Sequence, residues 1–166
     1  SEIRMRRLPK KELIPTIDEL LEEFPDTYFN FDLKVTGMTE KVLTKIKNQN
    51  AQDRVCLGSF NSNTIREIQS LNSEINTSMG RSQLIGYKFF DKKNKCTAVQ
   101  MPLNYLGIEV CTKAFVTKCH EDNIKVNVWT INDEQTMRDL IDIGVDGIMS
   151  DNAQLLMDVM KEKDLI

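Results

Sequence analysis

With 166 residues, 40% of them apolar and 28% charged, the chain fits one ordinary soluble domain and is not a disordered segment. A net charge of -3, with both signs spread along the sequence, argues against a nucleic-acid partner, which would favour a basic stripe. No apolar run reaches the ~20 residues of a membrane span.

Thr16 and Glu19 have the spacing of a capping box. Ile17, Leu20, Leu21 and Phe24 then recur at helical intervals. Residues 27–33 read as a strand, and Met38, Val42, Leu43 and Ile46 suit a helix. A second strand covers 54–60. Asn61 follows as the cap of a helix carrying Ile65, Ile68 and Leu71. Residues 74–79 form a weaker strand. The stretch 80–95 is basic and interrupted by glycine, and it reads as an extended loop with little regular structure despite Tyr87, Phe89 and Phe90. Another strand, 98–101, stops at Pro102, and 112–122 is a helix with Phe115 and Cys119 on one face.

The closing segment is the most informative. Val126, Val128 and Ile131 are strand-type residues, and Asn132 with Gln135 is expected to cap a helix bearing Met137, Leu140 and Ile141. Gly144 suits a left-handed helix stop, and 145–149 is a last short strand. Six strands alternating with helices predict an α/β fold with a parallel sheet. A (β/α)8 barrel needs eight strands and typically ~250 residues, so the pattern is two βα units short.

Four cysteines, Cys56, Cys96, Cys111 and Cys119, form no C-x-x-C pair, and His120 is the single histidine. This argues against a structural zinc site. Free thiols fit a reducing, cytoplasmic compartment.

Asp32 and Lys34 lie two apart on a strand and share a face. Spacing alone allows a plain ion pair on a solvated face, or a carboxylate for a hard cation beside an ammonium for phosphate oxygens. Trp129, at a strand's C-terminal end where βα loops build sites, is either a core plug or an apolar wall for a ligand. Phe60 is a candidate second wall. His120 falls late on a helix, away from these strand ends, and reads as structural or exposed.

Several segments in order resemble one family. Ile14-Pro-Thr-Ile-Asp-Glu-Leu-Leu21, Asn30-Phe-Asp-Leu-Lys34, Ser59-Phe60, Val126-Asn-Val-Trp-Thr-Ile-Asn132 and Gly144-Val-Asp-Gly-Ile-Met-Ser-Asp151 look like the glycerophosphodiester phosphodiesterases. The resemblance runs from about Leu13 to Met160 and implies a single domain, 1–166. It would be the C-terminal part of a (β/α)8 TIM-type barrel whose first two βα units are missing from this sequence.

It further implies metal-dependent hydrolysis of a small-molecule glycerophosphodiester to glycerol 3-phosphate and an alcohol. Asp32 would be a ligand of a divalent ion, calcium or magnesium. Lys34 would be a catalytic residue at the phosphate, and Trp129 and Phe60 would line the substrate. Asp32 stands where the family's motif has Glu, one methylene longer. The family's acid–base histidines, one in a His-Arg-Gly motif and one after a Glu-x-Asp metal pair, have no counterpart in this sequence. The expectation is therefore a chain that is inactive alone and incompletely furnished for metal, with open barrel edges that favour oligomers. A non-catalytic barrel remnant that binds a phosphorylated ligand or a partner protein is the alternative.

Overall fold

The computed structural model describes residues 13–166, Leu106 excepted. Helix α1 (Ile17–Glu23) opens with the expected capping box: Glu19 N–H donates to Thr16 Oγ1, and Thr16 N–H donates to the Glu19 carboxylate at 2.8 Å. It leads to β1 (Phe29–Asp32), α2 (Thr39–Asn48) and β2 (Val55–Gly58). Arg54, just before β2, fixes the join between α1 and β1. Its guanidinium donates to the carbonyls of Leu21, Phe24 and Thr27 and lies 5.6 Å from the Phe29 ring centroid. That fork satisfies acceptors left over at the helix end.

Helix α3 (Ser62–Leu71) is capped by Asn61, whose side chain accepts from Asn63 N–H at 3.0 Å. Strand β3 (Asn76–Thr77) follows. Residues 81–90 then depart from the sequence expectation of a loop: they form helix α4 (Arg81–Phe90). Its start is fixed by Gly80, whose N–H donates to Gln83 Oε1 at 3.0 Å. A Cβ at Gly80 would lie 2.7 Å from Ser62 Cα and 2.9 Å from Ser62 N, so only glycine lets the N-termini of α3 and α4 meet. Leu84 and the fully buried Tyr87 carry the inward face. The helix is a tertiary product, which the interior Gly86 and the exposed Phe89 and Phe90 conceal in the sequence.

Strand β4 (Ala98–Met101) is followed by a short antiparallel hairpin, β5 (Asn104–Tyr105) and β6 (Ile108–Glu109). Helix α5 (Lys113–Glu121) and β7 (Lys125–Val128) come next. Helix α6 (Glu134–Ile143) is capped by Asp133, which accepts from Thr136 N–H at 2.8 Å, and not by Asn132 as the sequence suggested. Gly144 ends it at φ +89° as expected. Strand β8 (Gly147–Ile148) and α7 (Ala153–Glu162), capped by Asn152, complete the order.

The parallel strands form two sheets, β1-β2-β3 and β4-β7-β8. A parallel bridge between Ser78 and Ala98 joins them, supported by Met79 N–H to Ala98 O at 2.9 Å and Thr97 N–H to Thr77 O at 3.0 Å. The result is a curved six-stranded array with helices on its outside. Among the described residues β1 and β8 do not pair with each other, so the barrel is not closed. The apolar core lies between strands and helices, with Leu57, Val99, Met101, Val126 and Val128 pointing into it. Alternation then turns Asn30, Cys56, Gln100 and Asn127 to the concave face. Barrel interiors of this type are usually filled by branched apolar side chains. Here the concave face is polar, and Asn30 and Gln100 bond each other reciprocally across it, at 3.1 and 2.6 Å. Among the described residues no helix is long and apolar enough to cross a membrane.

Candidate functional site

The residues singled out in the sequence meet at the C-terminal ends of the strands. Asp32 closes β1, Lys34 lies two residues beyond it, Phe60 follows β2 by two, and Trp129 directly follows β7. Their side chains form one continuous line. The Lys34 ammonium pairs with Asp32 Oδ2 and sits 5.0 Å from the centroid of the Phe60 ring. Phe60 in turn meets Trp129 edge to face, with centroids 5.9 Å apart and an 85° interplanar angle. The arrangement suits both contacts: a cation is attracted to a ring face, and aromatic pairs favour edge-to-face geometry.

Local backbone ties hold this line in place. Leu33 N–H donates to Gly58 O at 2.7 Å, extending the β1–β2 pairing to the rim. The buried hydroxyl of Ser59 donates to Leu33 O at 2.8 Å and accepts from Asn61 N–H at 3.2 Å. Ser59 therefore clamps the two strand ends that carry Lys34 and Phe60. Sequence reading treated it only as half of a Ser-Phe pair, because a bond across two strands leaves no mark in local spacing.

On the other side, Trp129 N–H donates to Met101 O at 3.1 Å, and the Trp129–Thr130 peptide is cis. Asn132 does not cap α6 but binds the next loop. Its Oδ1 accepts from Asp151 N–H at 2.9 Å and from the Ser150 hydroxyl at 3.0 Å, and its Nδ2 donates to Asp151 Oδ2 at 3.0 Å. The two βα loops behind Trp129 are thus locked together.

His120 lies at the other end of the array. Its Nε2 is 2.9 Å from Asp146 Oδ2, which also accepts from Val126 N–H at 2.7 Å. Asp146 precedes β8 and Val126 lies near the start of β7, so this pair belongs to the N-terminal face. The sequence reading of His120 as remote from the rim agrees with this.

The line from Asp32 to Trp129 offers one carboxylate beside one ammonium. A hard divalent cation takes six to eight oxygen ligands or keeps waters in place of some. Asp32, already engaged by Lys34, does not by itself make such a site. Among the described residues no group of three or more His, Cys, Asp or Glu side chains gathers in a way that could hold a metal ion. What the rim does provide is a cation for an anionic oxygen, flanked by two aromatic rings against which an apolar ligand part can lie.

The rim also opens into a cavity of about 440 Å³ that Phe60 and Trp129 share with α4 and the β5–β6 hairpin. These two elements escaped the sequence reading. For the hairpin, Gly107 at φ +79° was the available signal.

Comparison with known proteins supplies an independent line. Residues 2–155 match the glycerophosphoryl diester phosphodiesterase family. "Probable glycerophosphodiester phosphodiesterase 2" of Mycobacterium tuberculosis is 30% identical, over 96% of this chain and 64% of its own length. A glycerophosphodiester phosphodiesterase of Caldanaerobacter subterraneus is 24% identical, over 91% of this chain and 63% of its own. The chain thus spans just under two thirds of the length of these curated relatives. In fold it is similar to a glycerophosphodiester phosphodiesterase from Parabacteroides distasonis, with a TM-score of 0.75, 20% identity, and coverage of 98% of this chain and 71% of that one. It is also similar to an Oleispira antarctica phosphodiesterase solved with the product sn-glycerol-3-phosphate, with a TM-score of 0.70, 22% identity, and coverage of 91% and 63%.

Proposed function

The chain belongs to the glycerophosphoryl diester phosphodiesterase family, and we propose that its strand-end rim is the phosphate- and alcohol-binding part of a site for glycerophosphodiesters. The observation that carries this reading is the unbroken line from Asp32 through Lys34 and Phe60 to Trp129. The Lys34 ammonium would meet a non-bridging phosphate oxygen as a point charge. The Phe60 and Trp129 rings would hold the glycerol or alcohol carbons, orienting the phosphorus toward the rim. Asp32 would then be released from Lys34 to serve as one oxygen ligand of a divalent ion, with the remaining ligands coming from outside the described rim.

Hydrolysis forms a bond from water oxygen to phosphorus and breaks the bond from phosphorus to the alcohol oxygen. One proton leaves the water and one joins the departing alkoxide. The sequence's single histidine, His120, is bound to Asp146 at the opposite face, and Asp32, the carboxylate of the rim line, is already paired with Lys34. Acid–base groups contribute about 10²–10⁴ in rate each. We therefore propose that the 166-residue polypeptide, assayed by itself, binds glycerophosphodiesters without appreciable turnover.

The second reading, a binding module for phosphorylated ligands, is favoured by the same fact: the carboxylate beside the ammonium and aromatic walls is already engaged by that ammonium, and the single histidine is at the opposite face. Phosphorus NMR of glycerophosphocholine incubated with the chain and calcium or magnesium tests the proposal. No new glycerol 3-phosphate resonance is expected. Chelator-sensitive hydrolysis would overturn the inactivity, while leaving the diester site in place.

A further inference from the structure

The cavity beside the rim holds an amine that the phosphodiester reading does not use. Lys88, in the last turn of α4, lines the space together with Ile85 and Phe89 of the same helix and Tyr105 and Ile108 of the hairpin. At about 440 Å³ the cavity falls within the range of small-molecule sites, ~300–1,000 Å³. A lysine drawn into apolar surroundings is ordinarily paired with a carboxylate. Among the described residues no carboxylate lines the cavity. The partners of Lys88 are instead the Val110 carbonyl, to which it donates at 2.8 Å, and the rings of Phe115 and Phe89, whose centroids lie 4.1 and 6.0 Å from Nζ.

The groups that face Lys88 bring its free base within reach. Burial lowers its pKa, and the Lys118 ammonium on α5 adds to this. Cys111, just before α5, and Cys119, within it, would oppose the shift as thiolates. Burial holds both thiols up at about 11, so near neutral pH they carry no charge. Glu109 of the hairpin is exposed and acts on Cys111 rather than on Lys88. Arg81 and Tyr105 are the other titratable side chains on the cavity wall. The aromatic rings favour the ammonium. Val110 O accepts an N–H from an amine as readily as from an ammonium, so loss of one proton frees a lone pair without breaking that bond.

We infer that Lys88 is a reversible covalent binding site for apolar aldehydes, whose hydrocarbon part lies in the cavity between α4 and the β5–β6 hairpin. The uncharged Nζ attacks the carbonyl carbon, and the new C–N bond gives a carbinolamine as one N–H proton passes to the oxygen. The second N–H proton then leaves with that hydroxyl as water, and a C=N bond remains. Nothing is oxidised or reduced, and water reverses the step. A lysine desolvated in an apolar pocket is the form of this side chain that attacks carbonyls. The aldehyde's tail covers side chains that otherwise face water: Ile85 is 46% exposed, Tyr105 51%, Phe89 66% and Ile108 68%. That burial favours an apolar aldehyde over a polar one. The inference uses neither Asp32 nor Lys34 and stands apart from the phosphodiester reading.

The experiment incubates the full chain with octanal and sodium cyanoborohydride, which reduces the imine to a stable secondary amine. Peptide mapping by mass spectrometry then locates the label. Lys41, an exposed lysine of α2, serves as the internal reference. Lys88 should be labelled at least about tenfold faster than Lys41, because the cavity holds the carbonyl beside the amine. Its rate should also level off at a lower pH than that of Lys41. The advantage should disappear with glycolaldehyde, which has no tail, and shrink in an Ile85→Ser, Ile108→Ser double variant. Both positions are exposed, so folding, checked by circular dichroism, is retained. Lys88→Arg keeps the charge and a donor for Val110, and it should lose the label at this position while Lys41 is labelled as before. Equal labelling of Lys88 and Lys41 by octanal overturns the site. A preference for Lys88 that is the same with glycolaldehyde also overturns it, and leaves a reactive amine without a bound tail.

Discussion

Phe60 and Trp129 touch edge to face at 5.9 Å although they follow strands of different sheets, β2 and β7. The contact closes the rim over the polar concave face and places Lys34, above the other side of Phe60, at the same opening. Phe60 is 53% exposed, so its main work is to shape the rim and not to fill the core. Replacing Phe60 by Ala should therefore change stability by no more than about 1 kcal/mol. It should shift Trp129 emission to longer wavelength, as the indole gains water. Urea unfolding and emission spectra check both; a loss of several kcal/mol would show Phe60 to be a core residue instead.

Gly80→Ala should be costly. The added methyl meets Ser62 backbone atoms at 2.7 and 2.9 Å, and backbone cannot swing aside as a flexible side chain can. Moving α4 away from α3 to relieve this is expected to destabilise by about 1–3 kcal/mol. Urea midpoints measure it, and an unchanged midpoint would mean the two helix starts have slack.

Burial pushes the thiols of Cys56, Cys111 and Cys119 up to about 11 each, from an ordinary value of 9.0. A folded-state pKa above the unfolded one means the folded protein holds its proton longer. The stabilisation is then complete below the unfolded value, about 8.5–9, and is lost as pH rises toward about 11. Stability should be flat with respect to these groups from pH 7 to 8 and fall between pH 9 and 11. Urea midpoints across that range check the sign. In the same experiments a disulfide reagent at pH 8 should titrate the buried thiols only after unfolding.

How much of this was legible beforehand depended on how local its cause was. The α1 capping box, the Asn61 cap and the Gly144 stop rest on residues a few positions apart, and each is found where the spacing put it. Helix α4 was missed because its cause is the approach of Gly80 to Ser62 and the burial of Tyr87, neither of which has a periodic signature. Asn132 was misassigned for a similar reason. It has the chemistry of a cap, but Asp133 takes that role and Asn132 bonds Asp151, nineteen residues on. At the rim, Asp32, Lys34, Phe60 and Trp129 were identifiable from strand ends and family resemblance. Ser59's clamp on Leu33 and the cavity wall from α4 and the hairpin needed the third dimension.

Among the described residues, β1 and β8 each pair on one side only. Open strand edges recruit other strands. The 166-residue chain should self-associate in a concentration-dependent way, measurable by sedimentation velocity from low to high micromolar protein. A single monomeric species over that range would show that the edges are protected.

Binding of a glycerol phosphate to the rim through Lys34 is measurable by calorimetric titration with sn-glycerol 3-phosphate. Saturable one-site binding is expected, weakening about tenfold or more in Lys34→Ala, since a charge-assisted bond to phosphate is lost. Lys34 is 66% exposed, so thermal stability should not change. Equal affinity in the two proteins, or no binding to the unaltered chain, would remove Lys34 from any phosphate site.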